Sequence, residues 1–244
     1  MIKNPEKFSH NLVTNFKRLF FTPEIEKRKR EKTIDSNFKL ITGQVIFFPD
    51  DTQPLIRLNN EVSANVKDIV CDNGEKKYSV QKLTLNEKKF ENCGHATFIF
   101  NDDELVHCSF DFNRNKAIVK THINSAKEFY KVAKYAAKRN LLNAFIDNAF
   151  SSMELLAKSE LLLKPMSGLE IKASHNKIKT QYNRYSKSTL DEFEKNKRII
   201  FNQLAELRVN ARYLRGNKKL TFEKKKIIKT LKEVIKELYY IVEN

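Results

Sequence analysis

A chain of 244 residues with 41% hydrophobic residues, 18 Phe and 8 Tyr is long enough to bury one large core or two modest ones, and too rich in aromatics to be disordered. No stretch approaches the roughly 18 consecutive apolar residues of a membrane span, and five glycines in all exclude a glycine-rich phosphate loop. The formal net charge of +16 points to an anionic partner, nucleic acid ahead of an acidic membrane surface.

Residues 1–36 read as an amphipathic helix and a charged connector. Asn4 is placed to cap, Pro5 suits the first helical turn, and Phe8, Leu12, Phe16 and Leu19 recur at helical spacing. The run Glu26-Lys27-Arg28-Lys29-Arg30-Glu31-Lys32 follows, a solvated helix face or tether rather than a phosphate-contacting arm. No signal-peptide core is visible, and three cysteines (Cys71, Cys93, Cys108) do not make a disulfide framework, so a reducing cytoplasm is expected.

Over residues 37–123 the period shortens to that of strands. Lys39–Phe48, Pro54–Leu58, Glu61–Val70, Lys76–Leu85, His95–Phe100, Leu105–Phe112 and Lys116–His122 are short β-branched or aromatic runs separated by turn-forming Asn, Asp and Gly. Val106, Cys108, Phe110 and Phe112 alternate as the buried face of an antiparallel strand. From residue 124 the pattern is helical. Ser125 with Glu128 reads as a capping box, followed by a stripe of Phe129, Val132, Ala133, Ala136 and Ala137. Leu141 to Leu163 continue a second helix up to Pro165, and His175–Tyr185 a third. Thr189 with Glu192 reads as another cap, opening a long helix whose stripe carries one polar residue, Lys197. Gly216 is placed to end it, and Thr221 starts the last helix. The expected fold is α+β: an N-terminal amphipathic helix, a small antiparallel β-rich module and an up-and-down helical bundle over 124–244.

Charge concentrates at the C-terminus, where Ser174–Asn244 carries eighteen Lys/Arg against eight Asp/Glu, interleaved with Tyr182, Tyr185, Tyr213, Tyr239 and Tyr240. Cations for phosphates and rings for splayed bases are what RNA binding uses. Arg208 and Arg212 lie one turn apart beside an apolar stripe, a guanidinium pair suited to a phosphate or to ion pairing with Asp147 or Glu154. Cys93-Gly94-His95 with His107-Cys108 hints at zinc, but neighbours on a strand point to opposite faces, so buried thiols are the default and no metal is expected. No Ser/His/Asp arrangement is present.

Three segments together resemble HEPN domains: the helix Asn143-Ala144-Phe145-Ile146-Asp147-Asn148-Ala149-Phe150-Ser151-Ser152-Met153-Glu154-Leu155-Leu156-Ala157-Lys158, the downstream His175-Asn176-Lys177, and Leu207-Arg208-Val209-Asn210-Ala211-Arg212-Tyr213 on a late helix. The resemblance covers residues 124–244. It implies a helical bundle, a homodimer formed along the motif helix, and metal-independent endoribonuclease activity in a toxin or anti-phage setting, with no cofactor. The family's signature is an Arg followed four to six residues later by a His. Arg208 matches the Arg, whereas the His position holds Arg212 or Tyr213. Arginine stays protonated and cannot act as a base, so Tyr213 or His175 would have to supply proton transfer. The expected catalytic set is therefore Arg208, Arg212, Tyr213 and His175. The phosphate-binding set is Arg208, Asn210, Arg212, Arg215, Lys218 and Lys219, supported by Asp147, Glu154 and Lys158. The β-rich module is expected to recognise a protein partner or the substrate. The alternative is a non-catalytic subunit that binds RNA or a nucleotide or acts as a scaffold. Membrane binding through residues 1–34 is disfavoured because that helix has few basic residues on its polar face.

Overall fold

Phe16 and Phe21, five residues apart, cannot share one face of a regular α-helix. The computed structural model, which describes residues 5–50, 52–70, 78–101, 104–164, 172–187, 189–213 and 220–243, resolves this with a π-turn. Helix α1 (Pro5–Phe16) passes through a π-helical turn at Lys17–Phe21 into α2 (Thr22–Arg30). The Thr22 amide donates to the Lys17 carbonyl, and this i→i+5 bond brings Phe16 and Phe21 onto one side.

That side packs on an antiparallel four-stranded sheet of order β2-β1-β5-β6. Its strands are β1 (Thr42–Phe47), β2 (Leu55–Leu58), β5 (Gly94–Asn101) and β6 (Glu104–Asp111). Strands β3 (Asn65–Val70) and β4 (Tyr78–Thr84) form a separate hairpin. Register pairs Gly43 with Phe98 and Val45 with Ala96, so these residues face the helices and form a core with Leu58, Phe16 and Phe21. The opposite face is also buried and carries a polar cluster beside Ile46: Gln44 Nε2 donates to Thr97 Oγ1 (3.1 Å) and to the Ser63 carbonyl (3.1 Å). The Leu83 amide donates to Ser109 Oγ (2.9 Å). The charge run is not a tether, since Glu26–Arg30 belongs to α2, where Arg28 pairs with Glu24 and Glu61 and donates to the Ile56 carbonyl.

Two expectations for the strands are corrected. Cys108 does face Phe98, but a register shift at Ile99/Phe100 sets Leu105 opposite Phe100 and leaves Val106 in a bulge at 63% exposure; Phe110, on this edge strand, is 44% exposed, and the buried residue of β6 is Ser109 on the other face. Lys116–His122 is helical rather than extended. Asn115 takes a left-handed conformation (φ 57°) that Asn tolerates, its side chain donates to the Leu162 carbonyl (2.9 Å), and α3 runs from Lys116 to Lys138. Ser125 and Glu128 therefore lie inside α3 and cap nothing. The buried stripe of α3 is Val119, Ile123, Ala126, Ala133 and Ala136, whereas Phe129 and Val132 are exposed.

The chain divides into two compact units, Met1–Arg114 and Asn115–Asn244, so the N-terminal helices belong with the sheet. The second unit is a bundle of α3, α4 (Leu142–Leu163), α5 (His175–Ser186), α6 (Glu192–Tyr213) and α7 (Lys224–Glu243). Helix α4 packs against the other four and is buried nearly all round. Ser174 caps α5 by accepting from the Lys177 amide. At the start of α6 the capping side chain is Asp191, accepting from the Glu194 amide (2.9 Å), not Thr189, which accepts only from the Asp191 amide. The expected stops at Pro165 and Gly216 lie outside the described residues. Among the described residues no helix is long and apolar enough to cross a membrane.

Lys197, the polar member of the α6 stripe, is 1% exposed. It binds Glu160 of α4 (2.8 Å) and Glu194 one turn back (2.7 Å). Burial opposes its charge, but the two carboxylates outweigh burial and hold its pKa above the ordinary lysine value. Lys197→Ala should cost about 3–5 kcal/mol of unfolding free energy, because it strands Glu160 and Glu194 without their cation. In the first unit, a Cβ at Gly43 would sit 2.6 Å from the buried Phe21 ring, so Gly43→Ala should cost about 1–3 kcal/mol by overpacking. Urea unfolding of each variant against the parent checks both.

Candidate functional site

Spacings of three and four place Asp147, Phe150, Glu154 and Lys158 in one stripe along α4. Helix α6 runs antiparallel to α4, so its last two turns bring Arg208 and Arg212 to the first turns of α4. Arg212 grips Asp147 with two hydrogen bonds, Nε to Oδ1 (2.7 Å) and Nη2 to Oδ2 (3.2 Å). Arg208 shares the same carboxylate through Nε (3.3 Å), and its guanidinium carbon lies 4.5 Å from the centre of the Phe150 ring. The hydrogen bond that Arg212 donates to Asp147 raises the Arg212 pKa, with the Tyr213 and Glu154 charges adding to it.

One turn further along α4, Glu154 is nearly buried, and it holds His175 from the start of α5 through Nδ1. The imidazole remains largely open to solvent, its side chain 65% exposed, and its ring centre is 6.4 Å from that of Phe150. Arg208 and His175 therefore both contact one aromatic ring. Phe150 is itself fixed by stacking on Phe201 of α6 at 6.0 Å, and Tyr182 meets Phe201 edge-on at 5.4 Å. Lys158 lies beyond Glu154, half-buried, and burial lowers its pKa. His122 of α3 faces Lys158. Burial first and Lys158 second lower the His122 pKa, and its Nδ1 has no partner among the described residues.

The expected residues thus divide. Arg208, Arg212, Asp147, Glu154 and His175 come together, with Lys158 at the far edge. Tyr213 ends α6 at 65% exposure. Asn210, two residues from Arg208, lies roughly 200° round the helix and points away from this group. Arg215, Lys218 and Lys219 lie outside the described residues. Phe150 and His122 were not anticipated, although Phe150 sits three residues after Asp147 and shares its helix face.

A second feature was missed entirely. Between α3 and α7 runs a trough of about 470 Å³ walled by Lys127, Lys134, Lys232 and Lys236 and floored by Tyr130, Ile235 and Tyr239. Lys134 continues it into a second hollow of about 270 Å³ with Lys138, Lys224 and Lys225 over Ala137 and Ile228.

The cysteine–histidine pairs make no metal centre. His95 Nδ1 lies 3.2 Å from Thr97 Oγ1, and His107 Nε2 lies 2.8 Å from Ser109 Oγ. Burial pushes the Cys108 thiol up to about 11. Among the described residues no group of three or more His, Cys, Asp or Glu is arranged to hold a metal ion. No protein-family model, no curated protein and no solved structure matches the chain.

Asp147→Ala should cost about 1–3 kcal/mol, because it strands the half-buried Arg208. Arg212→Ala, which removes an exposed partner, should cost less than about 1 kcal/mol. Chemical denaturation that ranks the two in the opposite order contradicts the shared-carboxylate geometry.

Proposed function

We propose that this chain acts on RNA as a HEPN-like, metal-independent endoribonuclease in which His175, held by Glu154, supplies the imidazole that the motif helix lacks. One observation carries the reading: a carboxylate-held imidazole and two guanidiniums stand on the same face of α4. With Nδ1–H donated to Glu154, Nε2 of His175 is left as the acceptor and takes the proton of the ribose 2′-hydroxyl. The 2′-oxygen attacks phosphorus, the bond to the 5′-oxygen breaks, and a 2′,3′-cyclic phosphate remains. Arg208 and Arg212 are placed to offset the charge that builds on the phosphorane. Tyr213, at the end of α6, is the proposed donor to the leaving oxygen. Homodimerisation along the motif helix and a toxin or anti-phage setting are part of the same proposal and rest on the family resemblance.

A second reading, a subunit that binds RNA without cutting it, is favoured by two features. Asp147 already engages two Arg212 donors, and the motif helix presents no histidine.

RNA digestion in EDTA separates the two. Under the first reading the parent protein cleaves, His175→Ala lowers the rate by about 10²–10⁴-fold while filter binding persists, and Arg208→Ala and Arg212→Ala weaken both. Binding by the parent without cleavage establishes the second reading. Neither binding nor cleavage removes RNA from consideration and points to a protein partner.

A further inference from the structure

The described residues walling the α3–α7 trough and its continuation are all basic or apolar, with no acid among them. Helix α3 contributes Lys127, Lys134 and Lys138, one to three turns apart. Helix α7, running antiparallel, contributes Lys224, Lys225, Lys232 and Lys236. Lys127 to Lys138 spans about 16 Å at the rise of an α-helix.

Polar bridges cross the trough at both of its ends. Where α3 begins and α7 finishes, Lys120 pairs with Glu243 (2.7 Å) and the Tyr239 hydroxyl donates to Asn124, so polar bridges cross it. The opposite end lies where α3 finishes and α7 starts. There Lys224 Nζ donates to Asn140 Oδ1 (3.1 Å) in the turn between α3 and α4. This is also the end of the bundle at which α4 starts and α6 finishes, and hence the end that holds Asp147, Arg208 and Arg212.

We infer that the α3–α7 trough is the track for a single strand of RNA, running along α3 and α7 toward the end of the bundle that holds the arginine pair. Charge complementarity selects a polyanion as the occupant, since the basic walls carry no acid to oppose one. The apolar floor of the trough selects a single strand. A lysine row over an apolar floor with two tyrosines suits a flexible backbone with its bases turned inward, whereas a duplex presents only phosphates and has no use for that floor. The lysines are compact point charges on mobile stems and grip phosphates without imposing sequence. This inference rests on the proposed RNA reading and adds where the strand lies.

The test compares two double variants with the same change in charge. Lys134→Ala/Lys232→Ala alters the middle of the trough, and Arg184→Ala/Lys187→Ala alters exposed cations of α5 away from it. Fluorescence anisotropy with a labelled single-stranded 12-nucleotide RNA, a length of about the scale that non-specific single-strand binders cover, is measured across a salt series. Each lost phosphate contact should reduce the log–log salt slope by about 0.7, so the trough pair should lose about 1.4 and the α5 pair nothing. Affinity at low salt should fall about tenfold or more for the trough pair alone. Equal effects from both pairs mean diffuse attraction by net charge and overturn the track. Parent binding that the trough pair leaves intact also overturns it while sparing the RNA reading. Trough-dependent binding of an acidic amphipathic peptide, with RNA binding independent of the trough, assigns the surface to a protein instead. A parent that binds no RNA sinks the underlying reading itself.

Discussion

The second unit depends on how α4 and α6 are locked together as an antiparallel pair. Lys197 at the start of α6 is tied to Glu160 near the end of α4, and Arg208 and Arg212 at the end of α6 are tied to Asp147 near the start of α4. Between these clamps Phe150 stacks on Phe201. Two polar clamps with an aromatic contact between them leave the helices a single register. A slip of one turn, about 5.4 Å, would put a buried lysine against carbon and strand carboxylates at both ends. Helices α3, α5 and α7 pack around this pair.

The two clamps differ in burial, and burial decides what else each does. Lys197 is enclosed, shared by two carboxylates, and has no freedom to serve a ligand as well as the fold. Arg212 is 44% exposed at its side chain and Asp147 30%, so that pair remains within reach of solvent. The acid that positions the guanidiniums also competes with any phosphate that approaches them. Under the proposed function, an incoming phosphate would share or displace Asp147, so the acid that braces the helices would also set how readily the arginines take an anion. His175 stands differently. Its partner Glu154 is buried while the ring is not, the arrangement of an imidazole oriented from behind with its outer nitrogen toward solvent.

Much of this was readable in the sequence because it depends on local pattern. The first six expected strands fall on or overlap β1 to β6, and the expected helices of the bundle coincide with α4 to α7 within a few residues. Errors arose where a local signal is ambiguous. Lys116–His122 is rich in β-branched residues like a strand, and the helix there starts from a left-handed Asn115 that has no side-chain cap. Ser125 and Glu128 have capping-box spacing, yet a helix already in progress makes that spacing irrelevant. The exposure of Phe110 was hidden because alternation identifies a face without saying whether anything covers it, and that of Val106 because a bulge breaks the alternation.

What the sequence determined by itself is periodicity and charge: which residues share a helix face, that Arg208 and Arg212 lie together, and that the C-terminal half is basic. The tertiary structure decided the partners. Both arginines meet one carboxylate sixty residues upstream, His175 meets Glu154 rather than solvent alone, and lysines of α3 and α7, more than eighty residues apart, join in one trough. The reason is physical: periodicity is set by the geometry of one element, whereas pairing between elements is set by the packing angle and register of whole helices, to which each residue contributes only a little.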